Sequence, residues 1–478
     1  MQKLIISLVS LGLAVSSGVA MAGSSPDDYF RPHQAQEKRL HVKMASAKPS
    51  KVIEAIDEAD IYTQGLSVTT SPFIGIRSKF DASDLIVNLS TMNEDLRFLQ
   101  EQQKLSKIFE KRHLPKLDRP LIELSGDVVG QTFWQSSYRG HSQHDLNLTG
   151  ARFDVFAHAS SWATGYISTD FDNSPLDESL SGSGFRLGNS RIFLKRAFLT
   201  IGNLDAAPVY FSMGQMYVPF GRYASGTVTT PSTVALAQTN TRAALFGLSY
   251  DGFYGSVYGF RGDSDVDSTG INQWGVNAGY HYTCNDLSVE LGAGYIANIA
   301  DSSGMQLTGH RADGEFSGFG EDSATETLDH RVPAYDVHFE LGYGPFGFNT
   351  EYIATTRHFA AEDMSFNDEG AKPTAFHVEA NYRFDICELP AAVNLAYGRT
   401  EDALALGLPK NSLFATFNIS LWKNTIQSIE YRYDQNYDSE DISGGQALVD
   451  DDGGIIDAPG PVGGGHRNLI LAQIGVYF

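Results

Sequence analysis

Cysteine is nearly absent from this chain: 478 residues carry two, Cys284 and Cys387, too few for a disulfide framework. Basic charge is scarce as well. Lys and Arg number 35 against 57 Asp and Glu, a formal net charge of −22. That balance argues against a nucleic-acid partner, which calls for a basic face. Long apolar runs are missing after the N-terminus, where no stretch approaches the ~18–20 residues of a membrane helix. Residues 1–22 do hold a short one. Lys3, the apolar run Leu4–Leu13 and the small-residue box Ala20-Met21-Ala22 form the pattern of a cleaved signal peptide. Removing Lys3 with that leader leaves −23 on residues 23–478. No cysteine follows the cleavage box, which excludes a lipid anchor there.

What is present instead is alternation. From Pro120 onward, segments of about ten residues alternate apolar with polar side chains, the signature of membrane β-strands. Phe376, Val378, Ala380, Tyr382 and Phe384 share one face of such a segment, and His377, Glu379, Asn381, Arg383 and Asp385 share the other. A single strand of this kind also fits a water-soluble sheet. Repetition separates the two: Tyr335 to Tyr343, Leu287 to Tyr295 and Trp274 to Tyr282 repeat the pattern, with aromatics near the strand ends. Sixteen strands are expected, near 120–134, 145–158, 160–171, 190–203, 208–217, 241–250, 252–262, 273–283, 286–298, 334–344, 345–356, 374–386, 389–400, 412–423, 425–436 and 467–478. The fourth breaks its alternation at Lys195-Arg196, which predicts a bulge or a misplaced strand.

The connections alternate short and long in strict order, as in outer-membrane barrels with short periplasmic turns and long outer loops. The class is therefore all-β: a 16-stranded antiparallel transmembrane β-barrel over residues 120–478, with both termini in the periplasm of a Gram-negative bacterium. Ile470, Ala472, Ile474, Val476 and Phe478 close the chain on one face, resembling the signal read by barrel-assembly machinery. Cys284 and Cys387 fall in separate short turns on the order of 20 Å apart at ~4.8 Å per strand, beyond disulfide reach. Two free thiols are expected.

Residues 23–119 form a periplasmic segment with a helix expected near 83–112. Leu85, Leu89, Met92, Leu96 and Leu99 step 4-3-4-3, a coiled-coil-like stripe that Gln103 and Ser106 end after about two heptads. It serves either a periplasmic trimerisation helix or an amphipathic helix packed on the barrel mouth. The stretch Ser71-Pro72-Phe73-Ile74-Gly75, then Phe80-Asp81-Ala82-Ser83-Asp84-Leu85-Ile86-Val87-Asn88, and Asn93-Glu94-Asp95-Leu96 resembles the pre-barrel signature of siderophore porins of the legiobactin-receptor type. The resemblance implies a plug-less 16-stranded outer-membrane barrel taking up ferric siderophore. It supplies no ligand-contact residues.

The candidate solute-facing residues come from the inward faces and the loop ends: Arg152, Asp154, Arg222, Arg242, His338, Glu340, Glu351, His377, Glu379, Arg383, Glu430 and Arg432. Opposed charges on a channel wall can orient polar solutes, and they equally suit a water-wetted lumen. Neither a metal, a cofactor nor a nucleophile–base constellation is expected. Between Arg222 and Arg242 the loop reads Tyr223 to Thr241 with no charge, whereas residues 437–466 are rich in acids and hold His466 but no Lys or Arg. The uncharged loop is expected to fold into the pore. Two functions stay open: a ferric-siderophore channel without an energy-coupling plug, and a general diffusion porin for small polar solutes. Outer-membrane lipid is an expected partner of either, and a homotrimer is expected by analogy with 16-stranded porins.

Overall fold

The computed structural model describes residues 67–70, 90–111, 120–136, 138, 142–172, 191–262, 264, 270–308, 328–361, 363–443 and 463–478. The expected signal peptide, and Leu85 and Leu89 of the apolar stripe, lie outside the described residues.

Beside a two-stranded ribbon of Ser365–Phe366 and Glu369–Gly370 in a long loop, period-two alternation over the chain produces a barrel sheet. Its strands are β1 Leu121–Ser136, β2 Ser142–His158, β3 Ala163–Asp172, β4 Arg191–Gly202, β5 Val209–Tyr217, β6 Asn240–Tyr250, β7 Phe253–Phe260 and β8 Gln273–Cys284. They continue as β9 Leu287–Ile296, β10 Ala334–Tyr343, β11 Phe346–Thr355, β12 Thr374–Ile386, β13 Leu389–Glu401, β14 Asn411–Ile419, β15 Thr425–Gln435 and β16 His466–Tyr477. Each pairs antiparallel with the next, and β16 pairs with β1 from Leu469↔Gln135 to Tyr477↔Asp127, which closes the barrel. Closure removes every free edge along the shared length of the strands. All sixteen expected strands are present.

Seventeen strands share the sheet; the seventeenth, Ser67–Thr70, runs parallel to the start of β1, from Ser67↔Leu121 to Thr70↔Leu124. It covers the part of β1 beyond the end of β16, whose Phe478 exchanges backbone hydrogen bonds with Gly126 at 2.7 and 2.9 Å. The irregularity foreseen in the fourth strand is a bulge. Ser168 faces Arg196 and Thr169 faces Leu194, so Lys195 is the extra residue. Its ammonium reaches Asp170 at 2.5 Å, while Arg196 turns inward and is buried.

The pleat sorts the side chains. On β14, Ser412, Phe414, Thr416 and Asn418 are buried, and Leu413 is exposed on the opposite face. Phe246, Leu248, Val337, Leu395, Ile429 and Ile470 are likewise exposed on the outer surface. An apolar exterior around a polar interior is the pattern of a barrel solvated by hydrocarbon. Among the described residues, no helix is long and apolar enough to cross a membrane.

Among the described residues, three α-helices pack into the core. Helix α1, Glu94–Lys111, opens with Glu94 and Asp95 in its first turn, where acids complement the helix dipole. Helix α2, Ser232–Ala237, and helix α3, Ser303–Thr308, belong to long loops. They touch at Gly304, where a Cβ would lie 1.5 Å from the Ala235 carbonyl oxygen. At the long-loop end, Tyr437 joins two further connections: its hydroxyl accepts from the Ala403 N–H at 3.0 Å and pairs with the Thr400 hydroxyl at 2.7 Å. Burial pushes this phenol up to about 12. Cys284 and Cys387 are free and exposed in two different short turns, as expected.

Candidate functional site

Among the described residues, two segments enter the lumen. The first is the connection from Val218 to Thr239 between β5 and β6. With no charge beyond Arg222, it can enter a barrel at little desolvation cost, provided its backbone polar groups find partners. The wall supplies them strand by strand. Gly221 N–H donates to Asp336 Oδ1 of β10 at 3.2 Å, and Arg222 N–H to Glu351 Oε1 of β11 at 2.5 Å. Gly226 N–H donates to Glu379 Oε1 of β12 at 2.8 Å, while its carbonyl accepts from Asn394 of β13 at 3.3 Å and Asn418 of β14 at 2.9 Å. Val228 and Thr229 N–H donate to the two oxygens of Glu430 on β15, at 2.5 and 3.1 Å. One inward polar side chain per strand thus tiles the loop onto six consecutive strands. Gly226 is needed for the close approach, because a Cβ there would meet Asn394 Oδ1 at 2.3 Å. The in-folded loop expected from its lack of charge is present.

The guanidinium of Arg222 closes a second layer. Its Nε lies 2.8 Å from Glu340 Oε1 and 3.7 Å from Glu290 Oε2. Tyr254 donates to Glu290 at 2.7 Å and sits 3.2 Å from His338 Nε2, whose Nδ1 pairs with Asp336 at 2.9 Å. All six of these side chains are buried. Charge-assisted bonds of this kind fix geometry more firmly than neutral ones.

The second occupant is the start of α1. Glu94 forms an ion pair with Arg196, and Asn277 donates to Asn93 Oδ1 at 3.0 Å. Phe98 lies 4.5 Å from Phe156, 4.7 Å from Tyr166 and 5.9 Å from Phe198, centroid to centroid. Each aromatic pair adds about 0.5–1.5 kcal/mol to area burial. Farther along, Gln102 and Gln103 reach Ser160 and Asp205 in short turns at 3.1 and 2.9 Å. The helix therefore enters from the short-turn end with its N-terminus deepest. Helix and loop also meet: Ser90 donates to the Arg222 carbonyl at 2.5 Å, and Gln238 to Thr91 at 3.1 Å. Between α1, the short turns and Arg222 remains a cavity of about 600 Å³. Arg97, Lys104 and His281 line it alongside Asp205, Asp251 and Glu290.

The expected solute-facing residues divide accordingly. Glu351, Glu379 and Glu430 face inward but lie under the loop, as do the buried His377, 3.5 Å from Glu379, and Arg432, 2.8 Å from Asp434. Arg222, His338 and Glu340 form the second layer. Arg152 is ion-paired to Asp127 and 3.6 Å from the buried Asp154. Arg383 donates to the Gly344 carbonyl at 2.8 Å near the short-turn end. Arg242 is a correction. It is exposed and shares its pleat face with Phe246 and Leu248, so it belongs to the outer surface. Of the two readings of the apolar stripe, packing against the barrel describes its visible part: Met92, Leu96 and Leu99 are buried inside the barrel. Glu94 and Arg196, which hold the helix, were not among the candidates. The only signal for Arg196 was the broken alternation beside it.

Comparison with known proteins places the chain. A UPF0422 protein of Coxiella burnetii (strain RSA 493 / Nine Mile phase I) is 35% identical over 100% of this chain and 99% of its own length. Another, from Legionella pneumophila (strain Lens), is 37% identical over 92% of this chain and 81% of that relative. The chain belongs to the UPF0422 family. No family model matches it. Among solved structures, the outer membrane channel DcaP of Acinetobacter baumannii superposes with a TM-score of 0.47 at 12% identity, over 75% of this chain and 97% of that one. An anion-selective porin from Comamonas acidovorans gives 0.45 at 12%, over 75% and 100%. In this UPF0422 chain the lumen is occupied from both sides, by the carboxylate-bound loop and by the seated helix.

Proposed function

We propose that this chain is a channel of the Gram-negative outer membrane, exported by its N-terminal leader and inserted by barrel-assembly machinery. Its short turns and both termini face the periplasm. It admits a small polar solute down a gradient, with ferric siderophore as the cargo that the pre-barrel signature suggests. The reading calls for no energy-coupling plug domain, and a homotrimer is part of the proposal. The observation that carries the reading is a closed barrel, apolar outside, whose polar lumen is narrowed by a loop and a helix built from its own chain. A permanently wide pore would need neither. Passage then depends on the first turns of α1 leaving the lumen, since they occupy the route on the side of the cavity. Inward charges orient the solute, and the loop sets the bore.

A general diffusion porin is the second reading, favoured by the cavity lining, which mixes both signs of charge. Uptake of labelled iron, free and siderophore-bound, in cells with and without the gene separates the two, together with liposomes holding only the purified barrel. Selective loss of siderophore-bound uptake, restored in liposomes, supports the dedicated channel. Equal passage of sugars, ions and siderophore supports the general porin.

A further inference from the structure

Arg242 faces away from the lumen, and so does a second arginine. The register of β6 and β7 pairs Ala243 with Phe260. Continued one residue toward the long-loop end, just past the last residue of β7, that register sets Arg242 opposite Arg261, both exposed. Side chains directly opposite on neighbouring strands stand about 4.5–5.5 Å apart at Cβ, where like charges repel. Among the described residues, no salt bridge to an acidic side chain joins either arginine. The neighbour of Arg242 on β5 is Gln215, whose amide is already committed to the carbonyls of Leu194 and Lys195 at 2.8 and 3.1 Å. Immediately on the barrel side of the pair lies the apolar exterior, with Phe246 52%, Val257 48% and Trp274 48% exposed.

We propose that Arg242 and Arg261 form a docking site for the phosphate of a lipid in the leaflet at the long-loop end. This rests on the reading of the barrel as membrane-embedded. Two guanidiniums side by side match a phosphate, which each can grip with paired N–H donors. A bound anion turns their repulsion into attraction to a shared partner. The site lies at the upper limit of the apolar band, so the acyl chains of the same lipid can run down over Phe246 and Val257. Trp274 stands where an indole marks a headgroup boundary. A freely diffusing phosphate would gain nothing from that apolar flank.

The test uses the purified full chain in detergent, with diphosphoryl lipid A, dephosphorylated lipid A and inorganic phosphate as probes. Native mass spectrometry should show diphosphoryl lipid A retained by the wild type, and dephosphorylated lipid A not. Arg242→Gln with Arg261→Gln should weaken retention on the order of tenfold for each arginine lost. Arg261→Glu should also lose the lipid, yet raise the unfolding temperature without lipid by pairing with Arg242. Retention undiminished in the double variant overturns the site, and so does full competition by millimolar inorganic phosphate. Flotation with liposomes tests the underlying reading separately. A wild-type chain that does not float sinks the membrane assignment and the site with it; a floating double variant that still holds lipid A sinks the site alone.

Discussion

Neutralising Glu94 should unseat the lumenal helix. The carboxylate and its partner Arg196 are 7% and 3% exposed at their side chains, so the pair works almost without water. Glu94→Gln leaves the guanidinium Ser168 at 3.0 Å, Asp154 at 3.9 Å and the faces of Tyr166 and Tyr217 at 5.2 and 5.9 Å. Removing one member of a buried pair costs about 3–5 kcal/mol. With Asp154 offsetting part of the loss, the lower figure applies, and about 3 kcal/mol shifts the ratio of seated to unseated helix roughly a hundredfold. The strand pairing is untouched, so the barrel itself should keep its fold, read as an unchanged β-sheet circular-dichroism spectrum. Single-channel recording in planar bilayers should show the fraction of time spent in a high-conductance state rising by a large factor. Trypsin should reach Arg97, which is buried in the seated form. The double variant Glu94→Gln with Arg196→Met should return both readouts toward wild type, because a neutral pair leaves no buried guanidinium uncompensated. A single variant that folds and conducts like wild type would refute the idea that this ion pair holds a barrier in place.

Other outcomes follow from the lumen and the turns. Deleting residues 226–236 removes the segment tied to Glu379 and Glu430 and should raise single-channel conductance; an unchanged value would mean that the loop does not set the bore. Gly226→Val should do the same in milder form, since its side chain collides with Asn394. Alkylation of the unfolded chain without reductant should add two labels by mass, one each on Cys284 and Cys387, and a chain taking none would contradict the strand order. Phe98→Ala should cost about 3–5 kcal/mol of helix seating, read as faster cleavage at Arg97 with the barrel intact.

The barrel was legible because its code is local. Each strand states which side chains share a face, and alternating connection lengths state the topology without any distant contact. Even the Lys195 bulge left its mark as a break in period. The lumen was legible only in part. An uncharged stretch between Arg222 and Arg242 indicated entry into the pore, yet nothing in the sequence pairs Glu379 with the backbone of Gly226, because a carboxylate under a loop and one facing water look alike. Arg242 could have been placed correctly, since positions 242, 244, 246 and 248 share one face; its position at a loop end obscured this. Met92, Leu96 and Leu99 left two readings open for another reason. A 4-3 stripe fits a partner helix and a barrel wall equally well, and only Glu94 with Arg196 decides between them.

The short parallel strand at Ser67–Thr70 gives the helix a second anchor. Residue 70 and residue 120, on either side of α1 in sequence, are both held where β1 begins. The helix is therefore a tethered ligand of its own barrel, moored at two points beside the entrance. Once out, it stays at an effective concentration on the order of millimolar, because its flanking chain is held at the barrel. Return is a first-order event, independent of how many copies of the protein the membrane holds. A solute or a pulling partner that extracts it competes against that concentration and needs no means of recapturing it afterwards.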